Sequence, residues 1–197
     1  MAALQRSSAK VDLTLALEPT PFEGPGYNIG RIISHMRRSN LAATCLRWIN
    51  LVFAIVAALP PLAHVLELPN KLALSDTIWL AVQQQLYRGW GPFIGGPAEI
   101  GALVTSLALL VLRRVDARTR WLTLVAAIAY AAMIATFFIF NAPVNEAVRT
   151  WTPASLPSDW PAYRLQWEAG HAIAALLSVI GLAALIRARI AEAINAG

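Results

Sequence analysis

Two short runs in the sequence set a histidine and a glutamate three residues apart: His64 and Glu67 in PPLAHVLELP, and Glu168 and His171 in RLQWEAGHA. Residues i and i+3 share a face of an α-helix, so each pair projects to one side of its helix. Glu99 in GGPAEIG, and Asn141 and Asn145 in FNAPVNE, add a carboxylate and two amides at the edges of other apolar runs. Three chemistries suit such a set. His64, Glu67, Glu99, Glu168 and His171 would be adequate ligands for iron, manganese or zinc, as in di-metal carboxylate bundles. That pattern uses two Glu-x-x-His motifs in the same sense plus two more glutamates; here one motif is reversed and one glutamate is missing. Without a metal, a desolvated glutamate beside a histidine that titrates near neutrality could move protons. Third, buried acids could pair with His64, His171, Arg164 or the asparagines and tie helix ends together. Arg164 and Glu168, four apart, also suit a helix-surface ion pair, and Glu146 with Arg149 a solvated one.

The elements that must position these residues are membrane spans. Of the 197 residues, 57% are hydrophobic and only 14% charged, against about a quarter charged in soluble domains. Crossing the hydrocarbon layer, about 30 Å thick, takes about 20 apolar residues. Such runs occur at 46–66, 94–112, 121–140 and 169–186. The sequence therefore predicts an all-α, polytopic membrane four-helix bundle over 41–197. Residues 1–40 are expected to be a largely irregular extension, broken by Pro19, Pro21, Gly24, Pro25 and Gly26 and lacking the apolar core of a signal peptide.

Orientation follows from the basic residues. Twelve of the 16 lysines and arginines flank one end of the spans, before span one, between spans two and three, and after span four. By the positive-inside rule both termini are cytoplasmic. The long loops, Glu67–Phe93 and Asn141–Glu168, then face the exterior, the periplasm for a bacterial inner-membrane protein. The basic residues form no continuous stripe, so nucleic acid is not an expected partner; the lipid bilayer is. Cys45 is the only cysteine, which excludes an internal disulfide and leaves it as a small packing residue. Unequal loops and the lack of an internal repeat argue against an inverted-repeat transporter, and four spans would serve transport only as an oligomer.

The polar residues gather at the exterior end of the spans, where ionisable groups are functional hypotheses by default. Span one runs outward and span four inward, so the reversed motifs put both histidines deeper and both glutamates shallower, a step of about 4.5 Å. Pro60 and Pro61 are expected to kink span one and Pro143 the end of span three. Gly95, Gly96 and Gly101 allow close approach of a helix or a ligand. Ser75–Trp90 reads as an interfacial helix or an outward extension of span two. Trp79, Trp90, Trp151, Trp160 and Trp167 all fall on the exterior side, as an anchoring aromatic belt does.

The run FFIFNAPVNEAVRTW, followed by LPSDWPAYRLQWEAGHA, resembles the anthrone oxygenase-like family of small four-helix membrane proteins. HVLELPNKLAL and QQLYRGWGPF…PAE fit the same pattern, and the resemblance spans roughly residues 46–187. It implies enzymes that oxidise anthrones to anthraquinones with molecular oxygen, without a bound flavin or haem. Carried over, the catalytic candidates are Asn141 and Asn145 of N-x-P-V-N and Glu168 and His171 of W-E-x-x-H, followed by His64, Glu67 and Glu99. In such chemistry a glutamate or histidine removes an acidic C–H proton and the carbanion meets oxygen directly, with no metal required. The cofactor is thus none or a transition metal. The leading expectation is a membrane oxidoreductase acting on a hydrophobic aromatic or quinone-like substrate from the outer leaflet. The alternative is a non-enzymatic binding or assembly subunit.

Overall fold

A computed structural model describes the backbone of residues 29–112 and 116–196, and the side chains of 41–111 and 116–194. By its internal contacts the chain divides into residues 1–37 and 38–197, and the description below concerns the second unit. Of the expected extension, residues 1–28 lie outside the described residues, and from Ile29 onward the backbone is helical.

Among the described residues every regular element is helical. Helix α1 covers Ile29–Leu72, α2 Asp76–Ala81, α3 Gly96–Leu112, α4 Ala117–Thr136, α5 Ala142–Thr150 and α6 Trp160–Ala196. Three π-helical turns interrupt the series, at Val82–Leu86, Gly91–Gly95 and Phe137–Asn141. Four stretches are long and apolar enough to cross a membrane: Leu41–Leu72, Asp76–Val111, Ala117–Thr150 and Trp160–Ile194. The chain is a multi-pass membrane four-helix bundle, as its hydropathy predicts, and each expected span lies within one of these stretches to within a residue. Large apolar side chains such as Trp48, Leu66, Phe93 and Val111 are exposed on its surface, which suits contact with lipid.

Small residues set the packing. The central core includes Ala54, Ala57, Ala98, Ala102, Ala126, Ala174 and Ala184 around Tyr130 and Met133. Burying lipid-like side chains against one another gains little inside a bilayer, so helices there associate through close backbone approach. Gly101 shows why: a Cβ at that position would overlap the Phe53 ring. The buried Asn50 amide fastens α1 to α3, donating to Thr105 Oγ1 at 2.8 Å and Ser106 Oγ at 3.0 Å. Helix α4 packs on both α3 and α6. Its start is capped by Asp116, whose carboxylate accepts from the backbone N–H of Arg118 and Thr119 and from the Thr119 hydroxyl.

Two of the π turns have a covalent cause. Pro143 has no N–H for the carbonyl of residue 139, and its ring crowds that oxygen. The helix widens just before it, over Phe137–Asn141. Pro97 stands in the same relation to Gly91–Gly95. Helix α1, by contrast, remains α-helical through Pro60, Pro61 and Pro69 to Leu72. The outward continuation of span two exists, but it is broken at residues 87–89, where Gly89 takes φ +90°. A second core forms at this end from Trp79, Leu80, Val144, Val148 and Trp167. Trp79 and Trp167 are therefore packing residues, not the membrane anchors expected of a belt, because both are enclosed in this cluster of α2, α5 and α6 side chains. Cys45 is exposed, so it does not pack in the core as expected.

Candidate functional site

Because α1 continues past Leu66, His64, Glu67 and Lys71 fall at i, i+3 and i+7 on one face. Lys71 Nζ donates to Glu168 Oε2 at 2.7 Å, and the two side chains are only 4% and 5% exposed. The ammonium also lies 3.4 Å from His64 Nδ1 and 5.0 Å above the centre of the Trp167 ring. The His64 ring centroid is 4.1 Å from that of His171, 4.5 Å from Tyr87 and 4.7 Å from Trp167. Glu67 accepts a hydrogen bond from the Tyr87 hydroxyl. The two reversed motifs do meet, therefore, with their histidines in contact.

Both asparagines converge on Trp167. Asn145 Oδ1 accepts from its indole Nε1 at 2.9 Å, and Asn141 Nδ2 donates to its backbone oxygen at 2.9 Å. Asn141 reaches that oxygen across Gly170, where a Cβ would overlap the amide. Trp167 is thus held through its indole N–H and its backbone carbonyl, and its ring forms a wall.

This wall bounds a cavity of about 1160 Å³, somewhat above the ~300–1,000 Å³ range of ligand pockets. Trp90, Phe137 and Trp167 supply aromatic surface, and His64, Glu99 and His171 supply polar groups. All three π turns contribute to its lining, in keeping with the frequent occurrence of such turns at functional sites. Lys71 and Glu168 are not part of the lining. His171 makes ring contacts with His64 and Trp167 but no hydrogen bond or ion pair among the described residues. Glu99, half-buried, likewise has no polar partner among them.

The ligand set expected for a metal is not assembled. Among the described residues no group of three or more His, Cys, Asp and Glu side chains is arranged to hold a metal ion. Glu168 is taken by the Lys71 ammonium, Glu67 by Tyr87, and His64 Nδ1 faces the same ammonium. A positive charge among the would-be ligands opposes a cation. The donor set does not fit an iron, manganese or zinc centre.

Arg164 also departs from expectation. It forms no ion pair with Glu168; its guanidinium donates to the carbonyls of Lys71, Leu72 and Leu74 at 3.3–3.4 Å, closing the end of α1. Glu146 and Arg149 do pair, at 3.0 Å and well exposed. Sequence reasoning overlooked Lys71, Tyr87 and the clamp on Trp167. It also overlooked Gln84, whose amide caps α5 by donating to Val148 and Trp151 carbonyls at 2.8 and 2.9 Å. Only Lys71 had a readable signal, its i+7 spacing from His64. The chain matches no known family model, no curated protein and no solved structure.

Proposed function

We propose that the protein is a membrane oxidoreductase of the anthrone oxygenase-like kind, acting on a hydrophobic aromatic substrate with an acidic C–H. One observation carries this reading: the His171 imidazole stands in the wall of an aromatic-lined cavity with no hydrogen-bond or ion-pair partner among the described residues. An imidazole without a competing partner is suited to act as general base. In this reading His171 takes the proton from carbon, and the electron pair left behind delocalises onto the substrate carbonyl oxygen. Dioxygen bonds to that carbon, and the resulting hydroperoxide loses water to give the quinone. One oxygen atom ends in the quinone and the other in water, so each anthrone consumes one dioxygen. Asn141 and Asn145 serve by holding Trp167 flat against the substrate, and Glu168 by holding Lys71.

The excess of lysine and arginine at the other end of the spans supports cytoplasmic termini and a cavity facing the exterior, the periplasm for a bacterial inner-membrane protein. A hydrophobic substrate then arrives by way of the outer leaflet. Purified protein in lipid nanodiscs should consume oxygen with anthrones above the spontaneous rate, and His171→Ala should lower that excess by about 10²-fold or more. No uptake with any of a panel of anthrones and hydroquinones overturns the proposal.

A non-enzymatic assembly subunit is the second reading, favoured by the Lys71–Glu168 pair and the Arg164 cap that join α1 to α6. Under it, Glu168→Gln and His171→Ala lower stability in detergent and remove no separate activity.

A further inference from the structure

His64 and His171 share the cavity wall, but their nitrogens meet different neighbours. His64 Nδ1 lies 3.4 Å from Lys71 Nζ. An ammonium has three donors and no acceptor, and the partners of Lys71, the Glu168 carboxylate at 2.7 Å and the face of Trp167, are those an ammonium takes. Nδ1 therefore accepts, and the proton of the neutral ring sits on Nε2. Glu67 Oε2, at 3.7 Å from Nδ1, is beyond hydrogen-bond range. Lys71 is not part of the cavity lining while His64 is, and the ring edge away from Nδ1 carries Nε2. No described residue accepts that proton: Tyr87, Trp90, Trp167 and His171 meet His64 only as rings.

We infer that Lys71 is a positioning residue that fixes His64 as its Nε2–H tautomer, making His64 the hydrogen-bond donor to an oxygen of the cavity's ligand. The two histidines then divide the work: His64 donates and His171 accepts. The ligand this arrangement selects is an aromatic molecule carrying a carbonyl or phenolic oxygen, an assignment that rests on the cavity being a substrate site. In the reaction proposed above, the oxygen that gains charge when carbon loses its proton is the atom such a donor stabilises.

The chain has three histidines, so ring-nitrogen NMR spectra of ¹⁵N-histidine-labelled protein in nanodiscs are simple enough to assign His64 by the signals lost in His64→Gln. The wild-type protein should show His64 with a bare Nδ1 and a protonated Nε2. Lys71→Arg should keep that pattern, since a guanidinium also only donates, and Lys71→Met should release a mixture of tautomers. Fluorenone should shift the His64 Nε2 signal, and fluorene, which has the same rings without the oxygen, should not. A proton on Nδ1 of wild-type His64 overturns the tautomer assignment, whether or not Lys71→Met folds. An Nε2 signal that fluorenone leaves unmoved, or that fluorene moves equally, overturns the donor role. Neither readout uses oxygen uptake, so failure of the oxygenase reading would be seen separately.

Discussion

The Lys71 ammonium and the Glu168 carboxylate, 97 residues apart in sequence, meet at 2.7 Å and join the last turn of α1 to the early turns of α6. Only Glu168 Oε2 takes part; Oε1 is buried with no hydrogen-bond partner among the described residues. The pair is thus a matched charge in a place where neither member is tolerated alone.

Removing one member should therefore cost more than removing both. Lys71→Met leaves a buried carboxylate uncompensated and is expected to destabilise by about 3–5 kcal/mol, while Lys71→Met/Glu168→Met should return to within about 1–2 kcal/mol of wild type. Unfolding of the three proteins in mixed micelles measures this; equal losses in the single and double variants would contradict it.

Gly170→Ala puts a methyl group into Asn141 and Phe140. The π turn must back away from α6, at an expected cost of about 1–3 kcal/mol. Asn141→Ala makes room for that methyl but removes the amide's hydrogen bond to the Trp167 carbonyl. The two substitutions should therefore combine to less than the sum of their separate effects. A thermal-unfolding double-mutant cycle tests the coupling, and strict additivity would show that the glycine and the amide do not touch.

The Asp116 cap should confer pH dependence on α4. The Thr119 hydroxyl and the Thr119 and Arg118 backbone N–H groups hydrogen-bond its carboxylate and hold its pKa below the ordinary value of 3.8. The folded state thus binds the proton less readily than the unfolded state. Its stabilising effect is complete above the ordinary aspartate value and fades as pH falls toward the lower, folded one. The melting temperatures of wild type and Asp116→Ala should accordingly differ at neutral pH and converge in acid. A gap that widens on acidification would reverse the sign of the argument.

Glu99 faces the cavity half-buried and unpartnered among the described residues. A carboxylate kept there without compensation costs stability, so Glu99→Leu should raise the melting temperature. If Glu99 helps receive the substrate, the same variant should lose oxygen uptake, the exchange of stability for activity common at functional sites. A lowered melting temperature would mean that Glu99 has a stabilising role.

The spans and the gathering of polar residues at one end were legible because hydropathy and i, i+3 spacing are local properties. His64 and His171 could be brought together on paper, since reversed motifs on antiparallel helices must match in depth. Lys71 stands seven residues after His64, but span one is expected to end at Leu66, whereas α1 continues through Pro69 and Asn70 to Leu72. Glu168 had an arginine four residues away in sequence, and that neighbour proved less important than a lysine from another helix. Trp79 and Trp167 share the composition signal of interfacial tryptophans, and only the cluster they form with Leu80, Val144 and Val148 shows that they are enclosed. The same holds for the metal ligands: ligand types can be counted in a sequence, but an ammonium among them cannot be seen until the helices are assembled.

The membrane-spanning stretches are 32–36 residues long. At about 1.5 Å per residue the two unbroken helices among them, Leu41–Leu72 and Trp160–Ile194, rise roughly 50 Å, well beyond the ~30 Å of hydrocarbon. Their length therefore does not fix how deeply the bundle sits; the match between apolar surface and lipid does, at fractions of a kcal/mol per ångström. Bilayer thickness becomes a variable of access. Short-chain lipids leave the cavity mouth among headgroups and water, and long-chain lipids draw it toward the acyl layer, where greasy molecules are concentrated and protons are scarce.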